Sequence, residues 1–305
     1  MNIMKSNYFF KNSFKVFFFT TLLFVLPFSI KGTVIETTVF SDNFNGENLS
    51  GGTPATTYTF LNQTISGTTP TNAFYNNGAM RVPAPKSSVT RNAVFGDLSV
   101  YATPFNSKLS ALEADSIVWT FNLRANRNTT SGFGDTEFGI AAILLTDDAS
   151  FTSANGYAVV SYNVGGTRSF RLAKFSNGMN SNDKFTDIVD GLTGYANLYP
   201  SFRVTYIKSS NTWKFYARND GSSFADPTQG DYTFSGSAVD NTFVDIPMSY
   251  FGFYIMCKSY NADTNLEADN FTVRTYHNDI SSNKDIQVSS KFYQIRYLNR
   301  AIEIQ

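Results

Sequence analysis

Across 305 residues the chain carries 24 Lys+Arg against 24 Asp+Glu, with one histidine and one cysteine. Four of the lysines lie in the first 32 residues, which hold no acid, so residues 33–305 carry 20 basic against 24 acidic groups. A mildly acidic body of this kind lacks the basic stripe of a nucleic-acid binder, and a lone thiol excludes an internal disulfide framework or a cysteine-based zinc site.

At the amino end Lys5, Lys11 and Lys15 precede the apolar run 16–30, broken by Thr20, Thr21, Pro27 and Ser29. A basic front, a short apolar stretch and small residues after it form a secretory signal peptide over residues 1–32, cleaved near Gly32. The run is about 15 residues, short of the roughly 20 that span a bilayer as a helix. The expectation is an exported or cell-surface protein of bacterial type, with no transmembrane segment after the leader is removed. An uncleaved anchor is the other reading.

From residue 33 onward the pattern has a period of two. Within 115–124, Ile117, Trp119, Phe121 and Leu123 share one parity; Ser116, Thr120, Asn122 and Arg124 share the other. Phe202, Val204 and Tyr206 alternate with Arg203 and Thr205, and Trp213, Phe215 and Ala217 with Lys214 and Arg218. Such alternation predicts strands with one buried face and one wetter face. Ser209, Ser210 and Asn211 between the last two runs predict a hairpin. Further strands are expected at 34–40, 56–60, 78–82, 136–145, 156–163, 168–175, 251–258 and 268–276. About a dozen short antiparallel strands without an amphipathic helix predict one all-β, two-sheet jelly-roll sandwich over 33–276. Residues 277–285 read as a polar linker. Residues 286–305 hold two short strand-like runs, 292–297 and 301–304, too few to bury a core alone.

Three stretches carry a resemblance. Phe40-Ser41-Asp42-Asn43-Phe44 resembles the entry strand, residues 202–218 the paired aromatic strands, and Ala268-Asp269-Asn270-Phe271-Thr272-Val273 the closing strand of the concanavalin A-like lectin/glucanase superfamily, which includes laminin-G-like modules. The resemblance covers most of 33–276 and implies the jelly-roll fold, with the first and last strands side by side. The tail from Ile286 resembles the start of a carboxy-terminal sorting domain of the type IX secretion pathway, which implies export machinery as a partner at both ends of the chain.

Glucanases of this superfamily carry Glu-x-Asp-x-x-Glu on one strand, because alternation places the carboxylates on one face. Glu113-Ala114-Asp115 and Glu267-Ala268-Asp269 match in part, and neither has the third acid. No catalytic residue is assigned. His277 falls in the predicted linker. Asp42 and Asp269 lie on the predicted neighbouring strands and are read either as ligands of a structural calcium ion or as turn-capping acids; Asp147 and Asp148 form a second acidic pair.

Sugar recognition needs planar rings with hydrogen-bonding groups beside them. The alternation places Asn122, Arg124, Glu137, Arg171, Arg203, Tyr216 and Arg218 on the wetter faces, with Lys214, and adds Tyr157, Tyr162 and Tyr254. These are read as contacts to a glycan or cell-surface ligand, or as solvated residues and cross-strand pairs such as Arg124 with Glu137. Trp119, Trp213 and Cys257 are read as core. The expected function is a non-catalytic exported binding module. The alternatives are a polysaccharide-degrading enzyme on the same fold, or a structural or adhesive surface protein.

Overall fold

The computed structural model describes residues 33–279, except 47–48, 101–103, 106, 128–129, 165–166, 192 and 194–197, and past them the strand backbone of 295–298 and 301–304. The predicted leader and the start of the predicted tail lie outside the described residues.

The strands in chain order are β1 (Thr33–Asp42), β2 (Ser50–Gly51), β3 (Thr56–Ser66), β4 (Phe74–Asn76), β5 (Ala79–Ala84), β6 (Val89–Asp97), β7 (Ser116–Ala125), β8 (Phe138–Thr146) and β9 (Gly156–Val164). They continue with β10 (Thr167–Phe175), β11 (Phe185–Val189), β12 (Pro200–Ile207), β13 (Thr212–Asn219), β14 (Thr233–Val239), β15 (Tyr250–Cys257), β16 (Thr264–Asp279), β17 (Ile295–Leu298) and β18 (Ala301–Ile304). One sheet runs β14-β13-β12-β7-β16-β5-β4, with β1 also on β16; the second runs β11-β10-β9-β8-β15-β6-β3-β2. The antiparallel two-sheet jelly-roll sandwich is the fold. Among the described residues no helix is long and apolar enough to cross a membrane.

The alternation in the sequence becomes cross-strand rows. On the inner face of the first sheet Phe121 pairs with Phe202, Trp119 with Val204 and Ile117 with Tyr206, and β13 adds Ala217, Phe215 and Trp213 to the same rows. Trp119 and Trp213 are fully buried and stacked at 5.8 Å, and Tyr157 of the second sheet meets Trp213 at 4.3 Å. The β12–β13 hairpin turns at Lys208–Ser210 with Asn211 at φ 49°, a left-handed conformation that asparagine tolerates. Its side-chain oxygen accepts a hydrogen bond from Tyr206 Oη at 2.7 Å. Cys257 is buried, as expected.

The second sheet departs from the expected dry-inside, wet-outside pattern. β8 is buried at every position. Its outer face joins Ala93, Ala141, Ile143, Ala158, Val160, Ala173 and Tyr254 to Phe133, Ala154 and Met179 from the overlying loops, in a second core. Small alanines let those loops approach, and Phe133 stacks on Tyr254 at 5.6 Å and on Phe185 at 4.5 Å.

β16 changes neighbours along its length. Residues 264–268 pair with β5 and residues 271–279 with β1; in between, the register against β7 shifts after Asp269, and Asn270 takes φ 50°. This handover puts Asp42, the last residue of β1, beside a bulge and opens the sheet there. β16 runs through His277, which pairs with Ile35 and lies 3.7 Å from Asp115. β17 and β18 pair with each other.

Candidate functional site

The first sheet leaves part of its outer face open, on β12, β13 and β14. One row across it reads Thr272, Thr120, Arg203, Tyr216 and Phe234, each paired with the next on the adjoining strand. Tyr216 and Phe234 rings lie 5.1 Å apart, and Phe234 is 53% exposed. The Arg203 guanidinium lies over two rings, Tyr216 at 4.5 Å and Tyr232 at 4.7 Å. Burial pushes the Tyr232 phenol up to about 12 despite the nearby positive charge of Arg218, and the phenol donates to Pro227 O at 2.5 Å.

Where this face meets the end of β1 there is a cleft of about 630 Å³, lined among others by Asp42, Asn43, Asp226, Asn270, Thr272 and Arg274. Its walls are the β1–β2 segment, the bulged part of β16 and the loop between β13 and β14. A Cβ on Gly51 would sit 2.9 Å from Asp42 Oδ2 and would displace that carboxylate. Amide, hydroxyl, carboxylate and guanidinium groups thus face one opening, the inventory that sugar hydroxyls hydrogen-bond.

Six of the sequence candidates belong to this face, among them Lys214, which pairs with Thr205. Arg203 and Tyr216 are described above. Asn122 is fully buried: its Nδ2 donates to Ser201 Oγ (2.8 Å), Asp220 Oδ2 (3.2 Å) and Ala225 O (3.1 Å), and its Oδ1 accepts from Asn270 Nδ2 (2.9 Å). It fastens the β13–β14 loop to the sheet. Arg218 does the same, donating from Nε to Asp220 Oδ1 (2.6 Å), from Nη1 to Gln229 O, and from Nη2 to Ser201 Oγ (3.0 Å) and Asp226 O (3.1 Å). Arg124 lies 3.4 Å from Glu267 and over the Tyr199 ring at 4.0 Å. The expected Arg124–Glu137 pair does not form, because β7 and the residue preceding β8 belong to different sheets.

The other candidates lie elsewhere. Glu137 precedes β8 in the second sheet. Arg171 is on β10 of that sheet, paired with Asp187 (2.7 Å) and Asp190 (2.8 Å). Tyr157 is in the core between the sheets, where its hydroxyl donates to Asp240 Oδ1 at 2.9 Å. Tyr162 and Tyr254 lie in the second core, under the loops. Glu113 and Asp115 of the first partial acid motif are exposed ahead of β7, and Glu267 of the second is held between Arg81 (3.3 Å) and Arg124. Neither set gathers carboxylates on one open strand face.

The acids proposed for calcium are close enough to sense each other. Burial pushes the Asp269 carboxyl up to about 7, the Asn270 N–H it accepts at 2.7 Å opposes that, and the charge of Asp42 adds to it. Burial also raises Asp42, whose Oδ1 accepts from Phe44 N (2.7 Å) and Oδ2 from Tyr58 Oη (2.6 Å). Calcium takes six to eight oxygens. Both Asp42 oxygens are already engaged, and no group of three His, Cys, Asp or Glu that could hold a metal occurs among the described residues. The hydrogen bond from Phe44 N, two residues on, is the one that the turn-capping reading of Asp42 expects.

Sequence reasoning did not reach Tyr232, Phe234, Asp226 or Arg274. Tyr232 and Phe234 share parity in Asp231-Tyr232-Thr233-Phe234, a signal for β14 too short to stand out beside its serines and glycines.

No protein-family model matches the chain, and no curated protein does. Among solved structures it is similar to peanut lectin in complex with a peptide (15% identity, 80% of this chain and 98% of that one, TM-score 0.45). It is also similar to the potassium-bound carbohydrate recognition domain of Emp46p (11%, 70% and 87%, 0.46) and to arcelin-5, a lectin-like defence protein from Phaseolus vulgaris (12%, 79% and 98%, 0.45). At these identities and TM-scores none of them lends this chain a ligand or a residue role.

Proposed function

We propose that the chain is an exported carbohydrate-binding module whose ligand lies on the outer face of the first sheet. One observation carries this reading. The outer face of the second sheet is sealed by its own loops, whereas that of the first carries rings, cations and an open polar cleft. Tyr216 and Phe234 supply apolar planes for pyranose faces, and the cleft supplies donors and acceptors for hydroxyls. Export is supported by the basic and apolar leader and by the resemblance of the tail to a sorting domain.

The test is calorimetric titration of the full exported chain with a panel of neutral and acidic oligosaccharides. At least one class should bind. Phe234→Ala, which removes an exposed ring, and Asn43→Trp, which fills the cleft from its rim, should each weaken that binding by about tenfold, or about 1.4 kcal/mol. A folded chain that binds no member of the panel would refute the reading.

A second reading, cleavage of the glycan, is favoured by one observation: Asp42 and Asp226 line the same cleft, next to Asp269, whose carboxyl burial pushes up to about 7. Release of reducing ends that disappears in Asp226→Asn would establish it.

A further inference from the structure

Six described arginines reach carboxylates: Arg81, Arg91, Arg124, Arg171, Arg218 and Arg274. Arg203 is different. Its guanidinium is held over the rings of Tyr216 and Tyr232, and among the described residues it has neither a hydrogen bond nor an ion pair. The rings restrict the plane of the group without occupying its N–H edge, so the fork is oriented before any ligand arrives. Tyr232 is itself fixed, by its bond to Pro227 O and by Arg218 at 5.1 Å from its ring. Asp220, the nearby buried carboxylate, is taken by Arg218, Ser201 and Asn122. A second cation follows from the register. Lys214 pairs with Thr205, two residues along β13 from Tyr216 and on the same face as Arg203, and it too has no partner among the described residues. Diagonal neighbours of this kind are about 7–8 Å apart.

We propose that the saccharide bound on this face is anionic, and that Arg203 receives its oxyanion, a uronate carboxylate or a sulfate ester, with Lys214 as the second charge. This rests on the carbohydrate-binding reading and names its ligand class. A planar guanidinium pairs with such a group through two parallel N–H bonds, whereas a neutral hydroxyl leaves most of its donors unused. Thr272 in the cleft and Arg203 are two strands apart, about 10 Å at the usual strand spacing. Arg203, Tyr216 and Phe234 are consecutive in one row, so a saccharide lying on the rings also meets the cation.

The experiment measures the affinity of the full exported chain for oligogalacturonate, a sulfated galactan oligomer and a neutral oligomer of equal length, at several salt concentrations. Wild type should prefer one or both acidic oligomers by at least tenfold, and which of the two it prefers identifies the group. Arg203→Gln should lose about tenfold on the preferred acidic oligomer and show a shallower salt dependence. Arg203→Lys should retain the salt dependence and lose affinity, because an ammonium cannot form the paired bonds. Matched melting temperatures control for folding. Equal binding of acidic and neutral oligomers, or acidic binding that Arg203→Gln leaves intact, overturns the proposal while saccharide binding stands. Failure of all three oligomers together removes the reading beneath it.

Discussion

Asn122 and Asp269 sit opposite each other on β7 and β16, and show how far a single residue's environment follows from its position along a strand. Parity placed Asn122 on the outer face, correctly. What parity could not show is that the β13–β14 loop folds back over that end of the face, so that an amide expected in water became the buried post to which the loop is tied. Asp269 has a consequence that can be measured. Its folded-state pKa, about 7, lies well above that of an aspartate in an unfolded chain, so the folded form holds the proton more tightly. The resulting stability is fully present below about pH 4 and is lost as pH rises through about 7; Asp42, raised by burial, acts in the same direction. Melting temperatures measured from pH 4.5 to 8 should therefore fall more steeply between about pH 4.5 and 7 for wild type than for Asp269→Asn, and level off above that. The variant keeps an oxygen for the Asn270 N–H but carries no charge, and should melt higher than wild type above pH 7. Parallel curves for the two proteins would show that the carboxyl is not strained in this way.

At the scale of the element, alternation identifies strands well and their surroundings poorly. β7, β12 and β13 alternate apolar with polar residues, and their inner faces are where the pattern put them. Residues 157–160 are apolar at both parities, so no wet face can be read from them. Tyr157 and Tyr162 differ by five positions and point to opposite faces of β9, one into each core, so neither reaches a wet face. Nor does parity say which sheet a strand joins, which is why Glu137, the expected partner of Arg124, lies on the other sheet. One signal for the second core was legible in the unbroken apolar stretch Ile140-Ala141-Ala142-Ile143-Leu144-Leu145, the mark of a strand covered on both sides. The loop that covers it is anchored by Phe133, fully buried against Tyr254, Phe185 and Tyr162. Phe133→Ala should lower stability by about 3–5 kcal/mol in denaturant melts, and amide exchange in β8 and β15 should quicken as the cover loosens. A loss below about 1 kcal/mol would mean that the loop adds little to the sheet it covers.

For the molecule as a whole, most of the architecture was readable because it depends on a two-residue period repeated many times, and the errors of single strands do not accumulate. The open face was less readable, because it is assembled by pairings far apart in sequence: β1 with β16, β7 with both β12 and β16, and a loop closing from residues 220–232. The tail bears on where the fold ends. Among the described residues β17 and β18 pair with each other and with neither sheet, whereas β16 is needed by β1 as far as Asp279. A chain ended after Tyr276 would remove three paired residues of β16 and so confuse loss of the tail with damage to the sandwich. A chain ended after Asp279 avoids this. It should melt within about 2–4 °C of the full chain, the shift that 1 kcal/mol produces in a domain of this size, and should bind the same saccharide. If the tail addresses the protein for export, as its resemblance implies, the shortened chain should accumulate inside the cell envelope while keeping its stability and its ligand. A larger drop in melting temperature would instead make the tail a structural part of the sandwich, and its absence from the medium would then reflect misfolding and not a lost address.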